Sequence, residues 1–306
     1  MALLDGKVAI VTGAGRGVGR GEALGLAKNG ARVIVNDLGV AVDGTGDDRR
    51  PAEEVVEKIR AAGGEALANF DDVSSWDGAE RMVQQAIESW GRLDILVNNA
   101  GILRDRIIWN MTEDDWDSAI RVHLKGTFCP TRHAVGHWRA QHKAGEPVYG
   151  RIINTTSAAM LGNPGQANYS AAKGGIAAFT LTVAVEVQGM GITCNAIRPS
   201  AATRMTQAAG AGLQAADPAK PQEGFDPRDP AHVGEFVAYL ASDAAHWISG
   251  QVFSVYGDRM HLTKGWNTVS TIEKPGAGWT ADELVAAMPK LAGMAPVSMM
   301  EQLLSG

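Results

Sequence analysis

The sequence predicts a doubly wound α/β fold: an open parallel sheet of about seven strands, helices on both faces, and an extension after the last strand. Three observations carry this reading. Short β-branched runs alternate with longer helical patterns along most of the chain. The first run, Lys7–Thr12 (KVAIVT), passes through a glycine-rich turn, Gly13–Gly19, directly into a helical pattern. That order of elements presents backbone N–H groups to a pyrophosphate. Further on, Tyr169 and Lys173 stand four apart at the head of an apolar run, so a helix places both on one face.

Taken in order, the strand signals are 7–12, 31–36, 65–70, 93–97, 151–156, 192–197 and 251–255. The helical signals between them are 20–29, 51–62, a segment reaching Trp90, 113–143, 171–187 and 230–241. Pro51 opens the second helix and Gly63-Gly64 follow its end. Ser74 with Asp77, and Thr112 with Asp115, read as helix caps. Residues 38–50 are rich in glycine and aspartate without any period, hence a long loop. Residues 1–257 form one catalytic domain. Residues 258–306, with Trp266, Trp279 and an amphipathic stretch over 283–291, read as an ordered extension of that domain over the site or a partner subunit.

Composition narrows the function. With 45% apolar and 20% charged residues the chain has a globular profile, and its net charge of −6 argues against nucleic acid or an anionic membrane surface. No stretch reaches the roughly 18 uncharged apolar residues of a spanning helix. Two cysteines, Cys129 and Cys194, suit a reducing compartment. Neither a secretory leader nor a peroxisomal address is read, so a cytoplasmic location is expected.

Single residues refine this. Asp37 closes the second strand, 18 residues after Gly19; a carboxylate there accepts both adenosine ribose hydroxyls and repels a 2′-phosphate, which favours NAD. Arg16 pulls the other way, since it could pair that phosphate. Asp72 follows the third strand, where it can meet adenine or cap a helix. Asn98-Asn99-Ala100-Gly101 follow the fourth, and both amides are expected to cross-link loops as well as approach the cofactor. His133 and His137 share a helix face without a third metal ligand by spacing, so they read as packing or surface residues. An ammonium beside a phenol should lower the tyrosine's pKa toward neutrality.

Together, Thr12-Gly-x-x-x-Gly-x-Gly19, Asn98-Asn-Ala-Gly101, Ser157 and Tyr169-x-x-x-Lys173 resemble the short-chain dehydrogenase/reductases, over residues 5 to 257. The segments NDLG (36–39), NNAGILRDR (98–106), RVHLKGTF (121–128), GQANYSAAK (165–173) and RMTQ (204–207) are similar to one branch. That branch comprises the (3R)-hydroxyacyl-CoA dehydrogenase domains of peroxisomal type 2 multifunctional enzymes, also called 17β-hydroxysteroid dehydrogenase type 4, and their bacterial relatives. The resemblance implies a Rossmann-type sheet, with Tyr169 as general acid/base. Lys173 would tune it and hold the nicotinamide ribose, and Ser157 would bond the substrate oxygen. Gly13, Arg16, Gly17, Val18 and Gly19 would surround the pyrophosphate. Asp37 would hold the adenosine ribose, and Asp72 with Val73 the adenine. Asn99, Ala100 and Gly101 would lie along the cofactor, and Thr203 would bind the carboxamide.

Three departures stand out. The family's relay asparagine falls at His123, which is expected to titrate in the working range. Ser157 lies one position closer to Tyr169 than is usual, so counting back from the tyrosine selects Thr156 while the strand IINTTS selects Ser157, the choice made here. Ser200 stands where glycine normally follows Pro199, and the turn to Thr203 is one residue short. The reading is an NAD-dependent dehydrogenase of a secondary alcohol, a 3-hydroxyacyl-CoA or steroid. An NADPH-dependent 3-oxoacyl reductase and a non-catalytic cofactor-binding sensor are the alternatives. Residues 207–228 are the expected substrate loop. The helix over 171–187 is apolar nearly all round, which points to a homodimer or homotetramer.

Overall fold

A computed structural model describes residues 2–46, 48–202, 225–265, 267–268 and 270–291. Within residues 1–263, strands β1 (Val8–Thr12), β2 (Arg32–Asn36), β3 (Ala66–Asn69), β4 (Ile95–Asn98), β5 (Arg151–Thr155), β6 (Thr193–Pro199) and β7 (Val252–Tyr256) pair in parallel. With β8 (Arg259–Thr263) at one edge, the sheet order is β3-β2-β1-β4-β5-β6-β7-β8. Strand order reverses between β1 and β4, and ligands of such sheets bind there, beyond the carboxyl ends of the strands.

Alternation along each strand builds one core per face. Val11, Val35, Val97, Ile153 and Ile197 point to the side covered by α1 (Gly17–Lys28), α2 (Arg50–Ala61) and α7 (Pro230–Ala241). Ile10, Ile34, Leu96, Ile152 and Cys194 face the other layer. That layer comprises α3 (Trp76–Trp90), α5 (Gly126–Lys143) and α6 (Ala167–Val187). Trp138 is buried there completely, and its indole N–H donates to the carbonyl of Leu93 at 2.7 Å, so its polar atom is satisfied.

Four details differ from the sequence reading. An eighth strand, β8 (Arg259–Thr263), pairs antiparallel with β7 inside the expected extension. The Gly257-Asp258 turn between the two is a hairpin signal left unread, and β8 is a short, exposed edge strand with no buried face to give it a period. The cap of α3 is Ser75, whose hydroxyl accepts from Gly78 N–H at 3.1 Å, one residue beyond the expected Ser74. The helix read as 113–143 is three pieces: α4 (Glu113–Ala119), a π-helical turn over Ile120–Lys125, and α5. Finally, α6 with its following turn, Ala167–Met190, is long and apolar enough by composition to cross a membrane, a feature the sequence reading excluded. In the fold one side of α6 covers the sheet and buries Asn168, Lys173 and Thr180.

Residues 264–306 form a second compact unit. Its helix α8 (Ala281–Ala287) starts with a capping box between Thr280 and Glu283, and Glu283 also pairs with Lys274 at 2.6 Å. Trp266 and residues 292–306 lie outside the described residues.

Candidate active site

The glycine turn and the end of β2 meet first. Asp37 accepts from Gly15 N–H at 2.8 Å through one oxygen and from Gly39 N–H at 2.6 Å through the other, which pins its carboxylate at the rim of the turn. Each oxygen keeps a further lone pair for a hydroxyl donor. Helix α1 begins at Gly17 with no side-chain cap and no acidic residue in its first turn, so its positive end faces outward, as an anion requires. Val18 packs partly buried beside it. Gly13 lies against the backbone of Ala100, and a Cβ on Gly19 would meet the Gly13 carbonyl oxygen at 2.3 Å and Asn99 Nδ2 at 2.4 Å. The loop itself therefore needs these glycines as much as a ligand does. Arg16 lies 3.7 Å from Asp48 on the long loop, and Asp48 also forms two bonds of 2.9 Å with Arg50.

The loops after β3 and β4 complete this half. One oxygen of Asp72 accepts from both the N–H and the hydroxyl of Ser74, at 2.8 and 2.7 Å, while the other lies 3.8 Å from Arg121. Asp72 thus shapes the entry to α3, and Val73 is buried beside Gly126. Both amides of the Asn98-Asn99 pair cross-link. Asn98 donates to Thr131 and Asn154, whereas Asn99 donates to the carbonyls of Thr12 and Gly13.

On the other side, β5 and α6 bring Ser157, Tyr169 and Lys173 together. Lys173 Nζ lies 5.5 Å from the Tyr169 ring centroid and donates to the Thr155 carbonyl at 2.6 Å. The Ser157 hydroxyl lies near the Tyr169 phenol and acts to lower its pKa. Thr156 is buried and its hydroxyl donates to the Lys173 carbonyl at 2.8 Å, so of the two candidates only Ser157 faces the phenol. The expected lowering of the phenol's pKa is not found. Burial pushes Tyr169 up to about 12, the Ser157 hydroxyl opposes this, and the Asp105 carboxylate adds to it. Burial also pushes Lys173 down to about 7, so near neutrality much of its charge is gone.

His123 sits in the π-helical turn, a distortion frequent at functional sites. Its ring meets the Tyr169 ring edge-on, 5.0 Å between centroids. Nε2 is 2.7 Å from the Ile102 carbonyl oxygen and 3.2 Å from the Ile102 N–H. A carbonyl can only accept, so the shorter contact assigns the proton to Nε2 and leaves Nδ1 a buried acceptor with no protein partner. A Cβ at Gly101 would stand 2.2 Å from the ring, which explains the glycine there. Burial, then the field of Lys173, holds His123 down at about 3. The expectation that it titrates in the working range is overturned, because the protonated ring would have no water around it.

Other site groups escaped the sequence reading. Asn168, fully buried, donates to the carbonyls of Arg104 and Asp115, tying the start of α6 to the loop after β4 and to α4. Gln166 donates to Asp105 at 2.7 Å, and burial raises the Asp105 carboxyl's pKa. Glu22 of α1 is wholly buried. The available signal was a polar or acidic residue inside a small, apolar helical run, at 22 and at 168. Thr203, and the substrate loop except for 225–228, lie outside the described residues.

The arrangement can hold a dinucleotide across the reversal of strand order and pass a proton at Tyr169. The profile of the family described as short chain dehydrogenase matches residues 7–214. Hydroxyacyl-CoA dehydrogenase ChsB1 of Mycobacterium tuberculosis is 43% identical over 93% of this chain and 88% of its own length. Peroxisomal multifunctional enzyme type 2 of Mus musculus is 48% identical over 66% of this chain, a match that spans only 26% of the mouse protein. Among solved structures, a short chain dehydrogenase from Mycobacterium avium superposes with a TM-score of 0.82 at 44% identity, covering 96% of this chain and 97% of the other. The chain belongs to the short chain dehydrogenase family and is an oxidoreductase that uses a nicotinamide cofactor.

Proposed function

We propose that this chain is an NAD-dependent dehydrogenase of (3R)-3-hydroxyacyl-CoA thioesters. The observation that carries the cofactor choice is the Asp37 carboxylate, pinned at the rim of the glycine turn by two backbone donors. A 2′-phosphate there would meet a negative charge, while Arg16 of the same turn lies beside Asp48. The substrate class rests on the names of the hydroxyacyl-CoA dehydrogenase and multifunctional-enzyme relatives. A groove of about 460 Å³ bounded by Val42, Leu103, Asp105 and Arg106 offers apolar and charged surface beside the loop that carries Asp105.

NAD, held by the glycine turn and Asp37, would supply the hydride acceptor at nicotinamide C4. Ser157 donates to the substrate oxygen and orients it toward Tyr169. The Tyr169 oxygen takes the hydroxyl proton, and Lys173, fixed by the Thr155 carbonyl, favours the phenolate when charged. His123 stays neutral and fills the space beneath Tyr169, holding the Ile102 loop.

Apolar side chains left exposed on α5 and α6, among them Phe128, Leu181 and Val185, support a homo-oligomer built on these helices. Steady-state oxidation of (3R)- and (3S)-3-hydroxyacyl-CoA esters and of steroid alcohols, each with NAD and NADP, tests the reading. Preference for the 3R thioester with NAD is expected. Equal or better turnover with NADP, or with steroids alone, overturns it.

A further inference from the structure

The long loop that follows Asp37 leaves the rim of the glycine turn and returns to it. Ala41 N–H donates to the Thr45 carbonyl at 2.7 Å, and Gly44 N–H donates to the Ala41 carbonyl at 3.0 Å. Asp43 accepts from the N–H and the hydroxyl of Thr45, at 3.0 and 2.8 Å, so residues 41–45 close into a turn. The chain then comes back on itself. Gly39 has a positive φ of 73°, and a Cβ on it would collide with the Asp48 backbone. Gly39 N–H is also one of the two donors that pin the Asp37 carboxylate. The loop therefore delivers Asp48 to the rim that holds Asp37.

Two arginines stand at the same place. Arg16 follows Gly15, whose N–H is the other donor to Asp37. Arg50 precedes Pro51, and a Cβ on Gly15 would meet Pro51 Cβ at 2.7 Å and Asp37 Oδ2 at 2.8 Å. The start of α2 thus packs against the glycine turn, beside the Asp37 carboxylate. A guanidinium group in this position is what a 2′-phosphate would need. Asp48 takes both. Its Oδ2 lies 3.7 Å from Arg16 Nη2, while its two oxygens accept from Arg50 Nε and Nη2 at 2.9 Å each. The Arg50 bond holds the Asp48 carboxyl below the usual carboxylate range, so it is ionised near neutrality. Arg49, between them in sequence, stacks on the Phe70 ring at 4.7 Å.

A helix-entry role alone does not account for this geometry. Asp48 Oδ1 also accepts from the Arg50 N–H at 3.1 Å, which would suffice to shape the start of α2 without the second oxygen reaching Arg16. We propose that Asp48 is a specificity-determining residue: by engaging Arg16 and Arg50 it withholds both guanidinium groups from a 2′-phosphate and so supports Asp37 in selecting NAD. The inference rests on the NAD reading above. Asp37 repels the extra phosphate, and Asp48 occupies the groups that would otherwise receive it.

Asp48→Asn keeps an acceptor for the Arg50 N–H and removes the charge. Calorimetric titration of the full chain with adenosine 2′,5′-bisphosphate and with 5′-AMP reads binding without turnover. At low ionic strength the variant should bind the bisphosphate about threefold to tenfold more tightly, with 5′-AMP unchanged within about twofold. In an Arg16→Ala/Arg50→Ala background the same substitution should gain less than about twofold. Unchanged bisphosphate affinity overturns the proposal. So does a gain shared equally by 5′-AMP, or one that persists without the arginines, which would reduce Asp48 to simple charge repulsion. The second arm is the ratio of kcat/KM for NADP to that for NAD, expected to rise by the same factor in Asp48→Asn. A parent that prefers NADP overturns the NAD reading. A ratio that Asp48→Asn leaves unmoved overturns the masking by Asp48, whichever cofactor the parent prefers.

Discussion

The two halves of the site handle polar groups in opposite ways. Around β1 and β2, the groups that would hold the cofactor are tied to backbone and left facing the rim: the Asp37 carboxylate accepts from the Gly15 and Gly39 N–H groups, and the Asn99 amide donates to the Thr12 and Gly13 carbonyls. Around β5 and α6, Lys173 and His123 are buried and Tyr169 is half-buried. Burial drives Tyr169 to about 12, Lys173 to about 7 and His123 to about 3. Recognition needs donors and acceptors fixed in place before the ligand arrives. Proton transfer needs groups whose charge is costly enough for a neighbour to control it. The difference separates the two tasks by region, so variants in one half should leave the other's observable almost untouched.

Tyr169→Phe should give the largest effect. It removes the proton-carrying oxygen and keeps the ring that packs on His123. Turnover is expected to fall on the order of 10²- to 10⁴-fold, while NAD affinity by fluorescence titration changes little. A parallel loss of NAD affinity would break the division between halves.

Ser157→Ala comes next, with a loss of about 10²- to 10³-fold in turnover, since one donor to the reacting oxygen disappears. Thr156→Ala sharpens the point. Its hydroxyl serves the Lys173 carbonyl, so the expected cost is about 1 kcal/mol of stability with turnover nearly intact. Denaturant melts and initial rates on both variants decide the matter, and a reversed pattern would assign the substrate oxygen to Thr156.

What could be read in advance follows the same division. The cofactor half is a matter of spacing: strand, glycine turn, helix, then an acid closing the next strand, all of it local in sequence. Asp37 and the glycines were legible for that reason. The catalytic half is a matter of burial, and burial comes from elements far apart in the chain. Tyr169 and Lys173 were found by their four-residue spacing. The sign of the phenol's shift was missed, because it depends on how much water the packed loops exclude. Glu22 was passed over as one more helix residue, since the apolar layer around it is completed by α7, some two hundred positions later. The π-helical turn at His123 left no mark either, as its residues read equally well as regular helix.

Asp37→Ala probes the recognition half with a smaller effect. Loss of two ribose bonds, together worth about 1.4 kcal/mol or more, should raise the Michaelis constant for NAD about tenfold and narrow the gap to NADP. Turnover at saturating NAD should stay within about twofold, because the proton-handling residues are untouched. A large fall in turnover would show that the rim and the buried half are not independent.

The smallest expected effect, and the most specific to this chain, belongs to His123→Asn. Because burial holds the imidazole at about 3, it is neutral across the assay range, and the pH dependence of turnover between pH 6 and 9 should not move. The rate itself should fall less than about tenfold, since Tyr169 and Lys173 remain. Stability should respond instead, and with a definite sign. Above pH 6.5 the ring is neutral in folded and unfolded chains alike. As pH falls below 6.5, the unfolded chain takes up a proton that the folded chain refuses until about pH 3, so the native protein loses stability through that window. At pH 5 this loss amounts to about 2 kcal/mol, and the asparagine variant escapes it. The stability difference between parent and variant should therefore shrink, or reverse, between pH 7 and pH 5. A difference that stays constant, together with a rate profile shifted by the substitution, would mean that His123 titrates in the folded protein and takes part in proton transfer itself.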